Sequence, residues 1–123
     1  MNKAIAVDGT PTALGPYSQA IEAGDFLFAS GIMPIDAETG AMPEGIAGQT
    51  DQILKNAEAL LKGAGYSAEN VVKTTCFLAD INDFSEFNER YATFFIGKPA
   101  RSCVAVKDLP KGALVEVELI AHK

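Results

Sequence analysis

Two stretches near the C-terminus alternate side-chain character residue by residue, and together they restrict what the chain can fold into more than any other feature. Lys98, Pro99, Ala100, Arg101, Ser102, Cys103, Val104 opens an extended run behind a stiff proline, and Leu114, Val115, Glu116, Val117, Glu118, Leu119, Ile120 alternates strictly. Period-2 alternation is the signature of strands with two different faces. Between the runs, Leu109, Pro110, Lys111, Gly112 reads as a turn, so the pair is predicted as one antiparallel hairpin folded about the Pro110/Lys111 bond. In that register odd positions of the first strand share a face with even positions of the second. Arg101 and Cys103 are then expected beside Glu116 and Glu118. Ser102, Val104 and Val106 join Val115, Val117 and Leu119 on the face that helices would cover.

Upstream, Ala4 to Val7 reads as a short first strand, followed by an irregular connection through Gly9, Pro11, Gly15 and Pro16. Gln19 to Ala23 and Phe26 to Ser30 flank Gly24 and Asp25, a two-residue hairpin connection. A loop rich in Pro and Gly over 32–45 precedes a helix. There Ile46, Ile53, Ala57, Leu60, Leu61 and Ala64 recur at helical spacing, while Asp51, Gln52, Lys55, Asn56, Glu58 and Lys62 take the other side. Gly63 and Gly65 are expected to end it. Val71 to Ala79, rich in β-branched residues, is predicted as a central strand. Asp83 with Glu86 resembles a capping box opening a second helix, whose apolar stripe is Phe84, Phe87, Tyr91 and Phe94 or Phe95, with Phe87, Tyr91 and Phe94 read as core. Phe84, at the helix start, can also border a pocket. The order of elements predicts one α+β domain over residues 1–123, with both helices on one face of the sheet.

The formal charge of −6 matters most for partners: polyanion binding draws on Lys and Arg at phosphates, so nucleic acid is not expected. One local cation can still hold a small anion. No apolar run reaches the roughly 18 residues of a membrane span, and Met1 to Val7 has no apolar segment of signal-peptide length, so the expectation is a cytoplasmic protein with no membrane partner. Cys76 and Cys103 are too few for a disulfide framework and are expected as thiols. The one histidine, His122, lies in the C-terminal tail, leaving no triad and no metal set. Cofactor fingerprints are also missing, so neither metal nor cofactor is expected.

The remaining chemistry is an arginine, carboxylates, a thiol, a phenol and water. Arg101 offers a planar fork that never loses its charge, suited either to a carboxylate ligand or to a cross-strand pair with Glu118. Glu116 has a matching choice between pairing with Arg101 and holding a water. Nothing in sequence supplies a base for Cys103. Tyr17 alone reads as a loop aromatic over the core, and Ser30 with Gly31 as turn chemistry. The Arg101 face, which on the hairpin register also bears Leu114, Ala105 and Ile120, is too apolar to stay wet and too charged to bury unpaired, so a second subunit is expected to cover part of it.

Pro99, Ala100, Arg101, Ser102, Cys103, Val104 followed by Val115, Glu116, Val117 resembles the signature of the Rid family (the YjgF-type proteins). The likeness extends through Gly15, Pro16, Tyr17, Ser18, through Ser30, Gly31, through Thr74, Thr75, and through Asn82, Asp83, Phe84 with Asn88. The resemblance implies a chorismate-mutase-like sandwich, assembled as a homotrimer with sheets facing the threefold axis and three sites between subunits. It also implies an activity: hydrolysis of 2-aminoacrylate and 2-aminocrotonate, in their imine forms, to 2-keto acids and ammonia. Such species come from PLP-dependent serine and threonine dehydratases. By resemblance Arg101 grips the substrate carboxylate, and Glu116 with the Cys103 carbonyl holds the attacking water. Tyr17, Ser30, Gly31, Phe84 and Asn88 shape the cleft. The same cleft without turnover would make a binder or sensor of 2-keto acids and related small carboxylates. Ribonuclease activity, known in the wider family, fits poorly with the acidic chain. The segment Phe95 to Pro99 is shorter than in many Rid proteins, which bears on substrate preference more than on mechanism.

Overall fold

The computed structural model describes residues 1–123. Its elements are β1 (Lys3–Ile5), β2 (Ala20–Ala23), β3 (Phe26–Ala29), α1 (Gly45–Ala64), β4 (Val71–Leu78), α2 (Phe84–Tyr91), β5 (Ala100–Ala105) and β6 (Val115–His122). The six strands form one sheet in the order β1-β2-β3-β6-β4-β5. The predicted β2/β3 hairpin is present, with Ala23 opposite Phe26 across Gly24 and Asp25. The first strand is earlier and shorter than expected. Val7 has left it, and its N–H donates to Gln19 Oε1 at 2.7 Å.

The C-terminal hairpin does not form. β4 lies between β5 and β6, parallel to β5 and antiparallel to β6. The linker 106–114 passes over the end of β4, where the Val106 N–H donates to Leu78 O at 2.9 Å and the Ala79 N–H to Leu114 O at 2.9 Å. Inserting β4 lets a strand with four buried side chains, Val71, Thr74, Cys76 and Leu78, satisfy both of its backbone edges inside the sheet. The faces change accordingly. Arg101 pairs with Thr74 and Cys103 with Cys76, so both stand on the helix-covered face. Glu116 pairs with Phe77 and Glu118 with Thr75, on the opposite face. Ser102 and Val104 are exposed there rather than in the core. Val115, Val117 and Leu119 are buried as expected.

Ile53, Ala57, Leu60 and Leu61 of α1 and Phe87 and Tyr91 of α2 close over Leu27, Cys76, Leu78, Val115, Val117 and Leu119 to make the core. Each fully buried aliphatic side chain of this kind contributes about 1.5–3 kcal/mol. Asn56 departs from its expected exposed side: it is buried, and its Nδ2 donates to Met33 O at 3.0 Å and Ile35 O at 2.9 Å. It thereby ties the loop after β3 to α1. Gly63 stays helical, and α1 ends at Gly65, whose φ of 88° lets its N–H reach the carbonyls of Leu61 and Lys62. The expected capping box at Asp83 is absent. Asp83 continues a 3-10 turn over Ile81–Asp83 with helical angles, and a side-chain cap needs an extended residue. Asp80 takes the role one turn earlier, accepting from Asn82 N at 2.9 Å.

The open face of the sheet carries Phe26, Phe28 and Val104, exposed by 42%, 43% and 47%. The need for cover predicted for the Arg101 face therefore belongs to the Glu116 face.

Candidate active site

Arg101 leaves β5 towards α2. Its Nη1 donates to Asn88 Oδ1 at 2.7 Å, and its guanidinium carbon lies 4.7 Å from the centre of the Tyr91 ring and 5.5 Å from that of Phe84. Asn88 and Tyr91 sit near each other because residues three or four apart on a helix share a face. Phe84, one turn earlier, completes the platform. The two ion pairs of the structure are Arg90 with Asp51 and Lys123 with Glu22, so Arg101 has no carboxylate partner. The expected alternative of an Arg101–Glu118 pair is ruled out, since the sheet separates them. The guanidinium opens into a cleft of about 560 Å³ lined by Asn88, Tyr91, Phe95, Ile96, Lys98 and Arg101. The short loop before β5 turns at Lys98, which has φ of 52° and donates its N–H to Phe95 O at 3.1 Å.

Thr74 lies beneath this group, fully buried, its Oγ1 2.7 Å from the Tyr91 hydroxyl. Cys76 is fully buried, and its Sγ donates to Thr74 Oγ1 at 3.9 Å. Burial pushes the Cys76 thiol up to about 12. Burial also raises Cys103, against the opposing pull of Arg101 and the hydrogen bond from Cys76. Both sulfurs are thiols at neutral pH, which argues against Cys103 as a nucleophile.

Glu116 belongs to a different cavity, of about 440 Å³, which it lines with Tyr17, Gln19, Ser30, Gly31 and Lys111. A Cβ on Gly31 would overlap the Glu116 carboxyl, whose Cδ lies 2.7 Å from that position, so the glycine is what admits the side chain. Burial, with the Glu118 charge second, holds the Glu116 carboxyl above the usual carboxylate range. Ser30 is a positioning group: its Oγ donates to Ser18 O at 2.7 Å and its N–H to Gln19 O at 2.9 Å. These bonds hold the segment after Tyr17, whose 56% exposed ring stands at the cavity edge.

The residues singled out in the sequence thus fall into two groups. Arg101, Asn88, Phe84 and Cys103 stand on the helix side of the sheet, and Tyr17, Ser30, Gly31 and Glu116 line the second cavity. Thr74 and Tyr91 were not foreseen as part of the site. Their signal was limited to a hydroxyl of Thr74, within the motif shared with the family, and a phenol within an aromatic stripe.

A six-stranded mixed sheet with two helices on one face, an unpaired arginine over aromatic rings on the helix side and a carboxylate with a raised proton affinity in a separate cavity define a small α+β protein equipped to hold an anion. The chain belongs to the Rid family: the family model described as Endoribonuclease L-PSP matches residues 8–123. It is 50% identical over 125 residues to a RutC family protein of Pyrococcus horikoshii, covering 100% of this chain and 99% of that one. It is 42% identical over 125 residues to the 2-iminobutanoate/2-iminopropanoate deaminase of Salmonella typhimurium, covering 98% of each. Among solved structures, the Rid family protein YyfA from Yersinia pestis superposes with a TM-score of 0.96, with 48% identity and full coverage of both chains.

Proposed function

We propose that this chain hydrolyses 2-imino acids, 2-iminobutanoate and 2-iminopropanoate foremost, to 2-keto acids and ammonia. The observation that carries this is Arg101: a guanidinium fixed by Asn88 and two aromatic rings, without a carboxylate partner, facing an open cleft. Such a group has its charge and fork available for a planar carboxylate. The deaminase relative, alike over nearly the whole length, supports the reaction class. Water adds to the iminium carbon, the C–N bond breaks, and the nitrogen leaves as ammonia. Glu116 holds the water, together with the Cys103 carbonyl, and its raised proton affinity suits a base working near neutral pH. Free imines already hydrolyse unaided, so positioning and local charge suffice.

Since the Arg101 and Glu116 groups line separate cavities within one chain, we infer that a neighbouring copy brings them together. The exposed Phe26, Phe28 and Val104 supply an apolar surface for that contact. The assembly on this reading is a homotrimer with three shared sites. It works in the cytoplasm beside PLP-dependent serine and threonine dehydratases, whose products it consumes. The net charge of −6 weighs against the endoribonuclease description attached to the family.

The decisive assay couples the protein to a threonine dehydratase and follows keto acid and ammonia over many turnovers. Acceleration is expected. Stoichiometric keto-acid binding with no acceleration would instead make the chain a carboxylate sensor. Mixing Arg101→Ala with Glu116→Ala subunits tests the shared site: roughly a quarter of the sites in a random trimer would hold both groups, so activity should return on mixing. Two inactive variants that stay inactive after verified subunit exchange would refute sharing.

A further inference from the structure

Tyr91 does more in this structure than fill the core. Its ring is 7% exposed and packs between Phe87, at 5.6 Å between ring centres, and Phe95, at 4.5 Å. Its hydroxyl meets the fully buried Thr74 Oγ1 at 2.7 Å. With both ends held, the ring presents its face to the Arg101 guanidinium at 4.7 Å, while Asn88, one turn back on α2, takes Nη1. Arg101 is a long side chain with several rotatable bonds, and no carboxylate fixes it. Its direction is therefore set by these contacts.

Resting on the function proposed above, we propose that Tyr91, locked by Thr74, is a positioning residue that aims the Arg101 fork at the substrate carboxylate. The ring fixes the plane of the guanidinium, and Asn88 fixes its rotation in that plane. The remaining N–H donors then face the cleft. A cation braced by an aromatic face and an amide keeps its full charge for a ligand, which a bracing carboxylate would cancel. Thr74 acts at one remove: its hydroxyl stops the ring from tilting, and it sits on the strand that pairs with β5 at Arg101 itself.

The test reads Arg101 directly and then through a ligand. In the wild-type protein, the Arg101 side-chain N–H resonances should be ring-current shifted and slow to rotate. Tyr91→Leu should weaken both signs, leaving only the smaller shift from Phe84 at 5.5 Å and the bond to Asn88, and Tyr91→Phe should retain them. With 2-ketobutyrate as the probe, Tyr91→Leu should weaken binding about tenfold and raise KM similarly, with kcat at saturation changing much less. Tyr91→Phe and Thr74→Val, which preserve bulk, should each lose about two- to threefold. In an Arg101→Ala background, Tyr91→Leu should cost no further affinity, because the effect passes through the arginine. Unchanged Arg101 resonances in Tyr91→Leu, or additive losses in the double variant, would overturn the proposal. If Tyr91→Leu does not fold, Thr74→Val and Tyr91→Phe carry the test: wild-type resonances and wild-type affinity in both would overturn it. A wild-type protein with a shifted, slow Arg101 that binds no keto acid would leave the bracing intact and defeat the function it was said to serve.

Discussion

Arg101 and Glu116 stand on strands that flank the same central strand, and they point to opposite sides of the sheet. Arg101 is the register partner of Thr74, and Glu116 is the partner of Phe77. Side chains alternate along a strand, so partners of positions three apart on β4 must face opposite ways. A stabilising ion pair between them within one chain is thereby excluded.

Removing the fork should therefore affect ligand binding and leave the sheet intact. Arg101→Ala is expected to lose on the order of a hundredfold or more in kcat/KM, with a melting temperature close to wild type. Arg101→Lys should recover little, because the ammonium keeps charge without the two-pronged geometry. Steady-state kinetics and calorimetry on the same preparations check both statements, and wild-type turnover in Arg101→Ala would rule out this site.

Glu116 gives a pH signature. Its carboxyl is raised by burial and by the Glu118 charge, so the proton is bound more tightly in the folded chain than in the unfolded one. Ionisation of Glu116 consequently costs stability, a cost that appears as pH rises from the usual carboxylate range through the folded value and persists above it. Glu116→Gln should melt higher than wild type at neutral pH, with the difference vanishing in acid, while hydrolysis is lost and keto-acid binding survives. Glu118→Gln removes the like charge, so the acid limb of the kcat profile should move to lower pH. An acid limb that stays in place in Glu118→Gln would show that Glu116 does not set it.

Gly31→Ala tests how closely the carboxylate is placed. The added methyl would displace the Glu116 carboxyl, so turnover should fall on the order of 10- to 100-fold with less change in keto-acid affinity. A Gly31→Ala enzyme of wild-type kcat would mean that the carboxylate position is not critical.

Cys103 supplies the contrast. Its thiol is protonated near neutral pH and contacts Cys76, so Cys103→Ala should keep most activity, whereas a bulky replacement should block the site. Loss of several orders of magnitude in the alanine variant, with folding unchanged, would make the sulfur a nucleophile and replace the mechanism proposed here.

Local pattern was enough to place both helices, the β2/β3 hairpin and the burial of Val115, Val117 and Leu119, because each depends on neighbours along the chain. The motif around Arg101 was equally readable, since its proline, small residue and arginine are contiguous. Which strand lies beside which was decided only by the folded sheet. Alternation states that Arg101 and Cys103 share a face and that Glu116 and Glu118 share a face, but it carries no information on how the two pairs relate across strands. β4, inserted between β5 and β6, put them on opposite sides. Burial of Asn56 and the Thr74–Tyr91 bond were hidden for the same reason: a polar side chain in an apolar setting is explained only by a partner distant in sequence. The chemistry of each group was written in the chain, and its partners were chosen by packing.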